Sequence, residues 1–171
     1  MELWDIYDEN RKFTGRTIVR GSGERLKENE FHLAVHIWVM NSKGEFLIQK
    51  RASTVQLCPN LWATTGGSVI SGEDSHSACV REMNEEIGVI ANMEQAEILL
   101  SLKRTNIFCD VWLIRQDFDI SQCRLQVEEV SEVKWATIGE ILELTAKGAF
   151  WEYRYLDEFV YRIKVKNEQV M

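Results

Sequence analysis

Residues Gly67 to Val89 read GSVISGEDSHSACVREMNEEIGV, and the reading of this stretch decides the fold. Arg81 and Glu82 stand side by side, Glu85 and Glu86 follow as a pair, and Gly88 comes two residues later. A helix advances about 100° per residue, so Glu86 lies about 40° to one side of Glu82 and Glu85 about 60° to the other. Three carboxylates on one narrow face repel one another at three- and four-residue spacing. A helix that bound nothing there would gain by separating them. The sequence therefore predicts an exposed acidic face that serves a ligand.

The opposite side of the same segment is apolar. Val80, Met83 and Ile87 recur at helical spacing with Cys79 beside them, a stripe that docks on a sheet and holds the backbone still. Ser71 and Asp74 are the candidates for capping the helix start. Gly88 suits the left-handed position that ends it. Three carboxylates directed at one point are what a hard divalent cation needs, since Mg²⁺ takes oxygen ligands and keeps several waters.

The order Gly67, Glu73, Arg81-Glu82, Met83, Glu85-Glu86, Gly88-Val89 resembles the Nudix box. The resemblance implies an α/β/α sandwich and a hydrolase that cleaves a nucleoside diphosphate linked to another group, or a similar organic diphosphate. It implies Mg²⁺, with Mn²⁺ as the alternative, held by Glu82, Glu85, Glu86 and the carbonyl of Gly67. Glu85 stands either as a ligand or as the catalytic base, because that role shifts between positions within the family. Arg81 would orient the carboxylates, its fork pairing with Glu85 four residues on. Glu73 falls opposite Glu82 on an ideal helix and is assigned a structural ion pair at the helix start. Gly88 is structural within the motif.

Around the motif, 171 residues predict a single domain spanning 1–171. A net charge of −7 argues against general nucleic-acid binding, which needs a basic surface. No apolar run reaches the length of a membrane span. The first ten residues, MELWDIYDEN, carry no charged-then-apolar leader pattern. Cys58, Cys79, Cys109 and Cys123 show no close pairing and read as thiols in a reducing cytoplasm.

Strand-like runs at Trp4–Tyr7 and Thr14–Val19 flank a polar turn and predict an N-terminal hairpin. Phe31–Met40 reads as a central strand and Glu45–Arg51 as its return. Alternation on that return puts Phe46, Ile48 and Lys50 on one face and Leu47, Gln49 and Arg51 on the other. Glu97–Lys103, Ile107–Arg115 and Val127–Trp135 read as further strands. Thr137 with Glu140 is a capping-box signal for a helix ending near Gly148. The aromatic segment Phe150–Lys164 predicts a terminal helix. The sum is an α/β fold with a mixed sheet between helices. The hairpin and the terminal helix are the candidate surfaces for a homodimer.

Outside the motif the readings stay open. Glu129 is either a further catalytic acid, of the kind this family often carries outside the box, or a solvated loop acid. Arg51 is either a phosphate clamp or an ordinary surface arginine. Trp62 either stacks on a substrate base or packs in the core. His32 and His36 share one strand face and read as hydrogen-bonded sheet histidines. The run FHLAVHIWVMNSKGEFLIQKR with LWATTGG also resembles isopentenyl-diphosphate isomerases. Those enzymes need a cysteine and a histidine where this chain has Gly67 and Val69. They also need two acids where it has Thr105 and Ile107. A third reading is a Nudix sensor that binds without cleaving, but the motif acids such a sensor usually lacks are all in place here.

Overall fold

The computed structural model describes residues 2–169. Nine strands and three helices follow in the order β1 (Leu3–Tyr7), β2 (Phe13–Val19), β3 (His32–Met40), β4 (Phe46–Arg51), β5 (Trp62–Ala63), β6 (Thr65–Ser68), α1 (Ser75–Ile87), β7 (Ala96–Arg104), β8 (Ile107–Arg115), β9 (Val130–Ala136), α2 (Ile138–Ala146) and α3 (Leu156–Gln169). β1 and β2 form the N-terminal hairpin. The other seven strands form one mixed sheet in which β3 and β8 run parallel.

Alternation along β3 and β4 sends side chains to two cores. Leu33, Val35, Ile37 and Leu47 pack with Cys79, Met83 and Ile87 of α1. Trp38, Met40, Phe46 and Ile48 pack with Ile141 of α2 and Phe159 and Ile163 of α3. The result is the expected sandwich. Met83 is fully buried on the docking face. Met83→Ala is expected to cost about 2–5 kcal/mol and to lower kcat, because a shift of about 1 Å in a catalytic group can cost about 10²-fold. Denaturant melts alongside turnover check this. A destabilised variant with parental kcat in its folded fraction would uncouple the helix from the chemistry.

The sheet splits where the site lies. β3 pairs with β4 only at Met40 and Phe46, whereas from Ala34 to Ile37 its partner is β6. β4 leaves to pair with β5 and β9. Between β4 and β6 there is thus a gap into which side chains from both strands reach.

Several expected boundaries shift. Asp74 alone caps α1, accepting from the Ser77 N–H, while Ser71 turns away to donate to Asp5. β9 begins at Val130, because the Glu129 and Val130 amides both turn back to the Gln126 carbonyl and hold Val127–Glu129 in a turn. α3 begins at Leu156. Phe150 forms a bridge with Trp62 before it, and the Trp151 N–H donates to the Trp62 carbonyl at 2.7 Å. Sheet pairing there outcompetes the helical spacing. A register irregularity beside Lys50 and Arg51 leaves Ser131 of β9 as the extra residue. The Arg51 guanidinium lies 5.1 Å over the Trp151 ring.

Candidate active site

α1 presents its acids to the gap between β4 and β6. Gly88, at φ 70° with its N–H on the Asn84 and Met83 carbonyls, ends the helix as expected. A side chain there would crowd Arg124 as well as strain the backbone. The acidic face is not the solvated one the spacing suggested. Glu86 is 2% exposed and Glu82 9%, while the Glu85 side chain is half-exposed. The helix angle sets which acids are neighbours, but the strands packed over them set their burial.

Each acid has a different partner. Glu86 Oε2 accepts from Gln49 Nε2 at 2.9 Å, and the nearby Gly66 backbone amide favours the charged form of this carboxylate. Gln49 is in turn held by Thr65 Oγ1, which donates to its Oε1 at 3.2 Å. Glu82 Oε1 and Glu85 Oε2 share Arg81 Nη1, at 2.8 and 3.1 Å. Arg81 also grips both oxygens of Glu73, at 2.8 and 3.0 Å, and the Ser68 carbonyl. Glu73 therefore forms an ion pair beside the helix start. Among the described residues no group of three acidic, histidine or cysteine side chains is gathered as a ready-made metal site. Arg81 draws Glu82 and Glu85 to itself, and Glu86 turns to Gln49.

Burial pushes the Glu82 carboxyl up to about 7 against the pull of Arg81. It pushes Glu86 up to about 8, with the Glu82 charge adding to the effect. Glu129 raises both further, so this acid outside the motif lies within the field of the pair. The one arginine present is shared among three acids, and Glu86 has only neutral donors. Such a site carries more buried negative charge than it compensates. Its donors are oxygens, the set a hard divalent cation prefers. The donor chemistry thus suits a divalent cation, while the acids keep their separate partners here.

Gly67 lies against Glu82, and a Cβ there would overlap its carboxyl group. That group is the far end of a flexible side chain and can swing aside. Gly67→Ala is therefore expected to keep its fold but lose about 10- to 100-fold in kcat. In Gly66→Ala the new Cβ would meet the Val35 carbonyl, which cannot move freely, and the melting temperature should fall. Circular dichroism and turnover on the two variants separate the effects; equal losses of stability would refute the distinction.

The outlying candidates are only partly drawn in. Arg51 Nε donates to the Leu57 carbonyl at 2.8 Å. Trp62 is half-buried against the α2–α3 core, with Lys134 Nζ 4.7 Å over its ring. His36 is hydrogen-bonded as expected, through Tyr155. His32 Nδ1 is enclosed without a partner among the described residues, and the ring stacks on Trp4 at 4.1 Å. Gln49 and Thr65 were not singled out from the sequence. The signal for Gln49 is an amide that directly follows the buried apolar run of Phe46, Leu47 and Ile48 and is itself buried.

A family model described as NUDIX domain matches residues 30–159. An uncharacterized Nudix hydrolase of Listeria monocytogenes is 37% identical over 92% of this chain and 93% of its own length. An isopentenyl-diphosphate Delta-isomerase of Streptomyces avermitilis is 27% identical over 91% of this chain and 82% of its own. The crystal structure of DR0079 from Deinococcus radiodurans superposes with a TM-score of 0.76 at 26% identity, covering 94% of this chain and 98% of that one. A motif helix docked on a split mixed sheet, the domain match over most of the chain and the near full-length relatives agree: the chain belongs to the Nudix hydrolase family.

Proposed function

We propose that this enzyme hydrolyses a diphosphate linkage in a nucleoside diphosphate joined to another group, or in a similar organic diphosphate. The observation that carries the reading is the buried pair Glu82 and Glu86 with too little positive charge to balance it. Glu82, Glu86, Glu85 and the Gly67 carbonyl would hold Mg²⁺, or Mn²⁺ in its place. When bound, the cation neutralises charge developing on the phosphates and acidifies the attacking water.

The chain's own residues supply position and proton transfer. Gln49 orients Glu86 and Arg81 orients Glu82, and holding the cation would turn both carboxylates from these partners toward it. Glu85 engages Arg81 through Oε2. Its other oxygen is available to take a proton from the attacking water, and Glu129 is the alternative base. Arg51, whose Nη atoms have no partner among the described residues, would clamp a phosphate. Trp62 would contact the attached group. Isomerisation of isopentenyl diphosphate is not expected, since Gly67 and Val69 carry neither the acid/base nor the ligand that chemistry needs.

The test is a panel of Mg²⁺ complexes, namely ADP-ribose, dinucleotides, nucleoside triphosphates and isoprenoid or sugar diphosphates, with products followed. Phosphate or a nucleoside monophosphate is expected from at least one compound, and none in excess chelator. Full turnover in chelator would sink the metal requirement. Binding without release of product would favour the sensor reading.

A further inference from the structure

His36 lies on β3 directly opposite Gly66 of β6, on the sheet face away from α1. Its ring packs against Tyr153 and Tyr155 of the segment leading into α3. Nδ1 is 2.8 Å from the Tyr155 hydroxyl oxygen, and Trp38 Nε1 is 3.2 Å from the same oxygen. Indole N–H only donates, so it occupies the oxygen as an acceptor. The hydroxyl proton then needs an acceptor of its own. Among the described residues the only one in hydrogen-bond contact with it is His36 Nδ1. The arrangement that satisfies every group is Trp38 donating to Tyr155 and Tyr155 donating to His36 Nδ1. The imidazole proton is thereby assigned to Nε2. Burial of the ring lowers the His36 pKa to about 4, so this neutral form holds at physiological pH.

The donor so created has nothing to bind within the protein. Nε2 has no partner among the described residues, yet it is not an enclosed orphan like Nδ1 of His32. Its ring edge lies against Gly66. A Cβ on Gly66 would lie 3.4 Å from His36 Cδ2, the carbon bonded to Nε2. The Gly66 backbone amide acts on the Glu86 carboxylate. Gly66 thus lies between the imidazole edge and Glu86 of the proposed metal site.

We propose that His36 is a substrate-binding residue, whose Nε2–H, fixed by the Trp38–Tyr155 relay, donates to an oxygen of the bound diphosphate beside Gly66. This rests on the diphosphate reading of the site. A neutral donor suits the position, because it adds no cation that would compete with the metal for Glu86.

Two measurements test the proposal. Long-range ¹H–¹⁵N correlation of the metal-free protein should show His36 as the Nε2–H tautomer, and Tyr155→Phe should lose that single state. A wild-type Nδ1–H tautomer would overturn the assignment. Binding of ADP and of inorganic pyrophosphate, each with Mg²⁺, should weaken roughly tenfold to a hundredfold in His36→Phe, the range for losing a hydrogen bond to a charged group. His36→Gln, which keeps an amide donor, should recover most of that affinity; a merely structural role predicts no such recovery. If the wild type hydrolyses diphosphates and His36→Phe binds both probes as tightly as the parent, this proposal fails and the hydrolase reading stands. If no compound is hydrolysed but His36→Phe still weakens both probes, the hydrolase reading fails and the contact stands.

Discussion

Glu86→Gln is expected to lower kcat by about 10²-fold or more while raising the melting temperature of the metal-free protein. The loss follows from removing a charged oxygen ligand at the centre of the proposed metal site. The gain follows from burial. Glu86 is 2% exposed, and its carboxyl is pushed up to about 8. A carboxyl whose folded pKa exceeds its unfolded value opposes folding as it ionises. The metal-free protein should therefore lose stability as pH rises from about 4.5 to about 8. The glutamine variant should lose less across that window, since its amide carries no charge and its carbonyl can still accept from Gln49. Glu82→Gln should act in the same direction, more weakly in stability because Arg81 already compensates Glu82. Melts in chelator across that pH range, with turnover in Mg²⁺, check both halves. A variant that melts well below the parent yet keeps its activity would make these acids structural.

Arg11→Met should destabilise the fold by about 3–5 kcal/mol, the range for stranding one member of a buried ion pair. Arg11 is in the turn of the β1–β2 hairpin and pairs bidentately with Asp110 of β8, with Nη1 2.8 Å from Oδ1. Asp110 is fully buried and takes a further hydrogen bond from Ser101. Burial alone would raise its pKa. Hydrogen bonds from Arg11, Ser75 and Ser101 outweigh burial and hold it below the usual carboxylate range. That stabilisation is present above the unfolded pKa and is lost as pH falls through the folded one. Without Arg11 the carboxyl must ionise unpaired, so the deficit of the variant should grow as pH rises above about 4. The same hairpin anchors the loop before α1, where Asp5 accepts from the Ser71 hydroxyl and the Gly72 N–H. Chemical denaturation at several pH values is the measurement. A deficit below about 1 kcal/mol at neutral pH would mean that the pair does not hold the hairpin.

The helix, its docking stripe, its glycine stop and the Arg81–Glu85 contact could all be read from the sequence. Each depends on residues within one or two turns, where backbone geometry alone fixes who faces whom. The hairpin, the central strands and the capping box of α2 are local in the same sense. The depth of the acids was not local. Glu82 and Glu86 are covered by strands that precede them by up to 37 positions, and an angular pattern on a helix does not say what lies over it. The split between β4 and β6, the reach of Gln49 to Glu86 and the Trp38–Tyr155–His36 relay join segments up to 119 residues apart. The late start of α3 has the same cause: Phe150 and Trp151 carry helical spacing but gain more from bridging to Trp62. The sequence by itself determined the family motif and the order of elements. The tertiary structure alone decided which charges are buried and which neutral donors face them, because burial and pairing across a sheet are properties of the assembled layers.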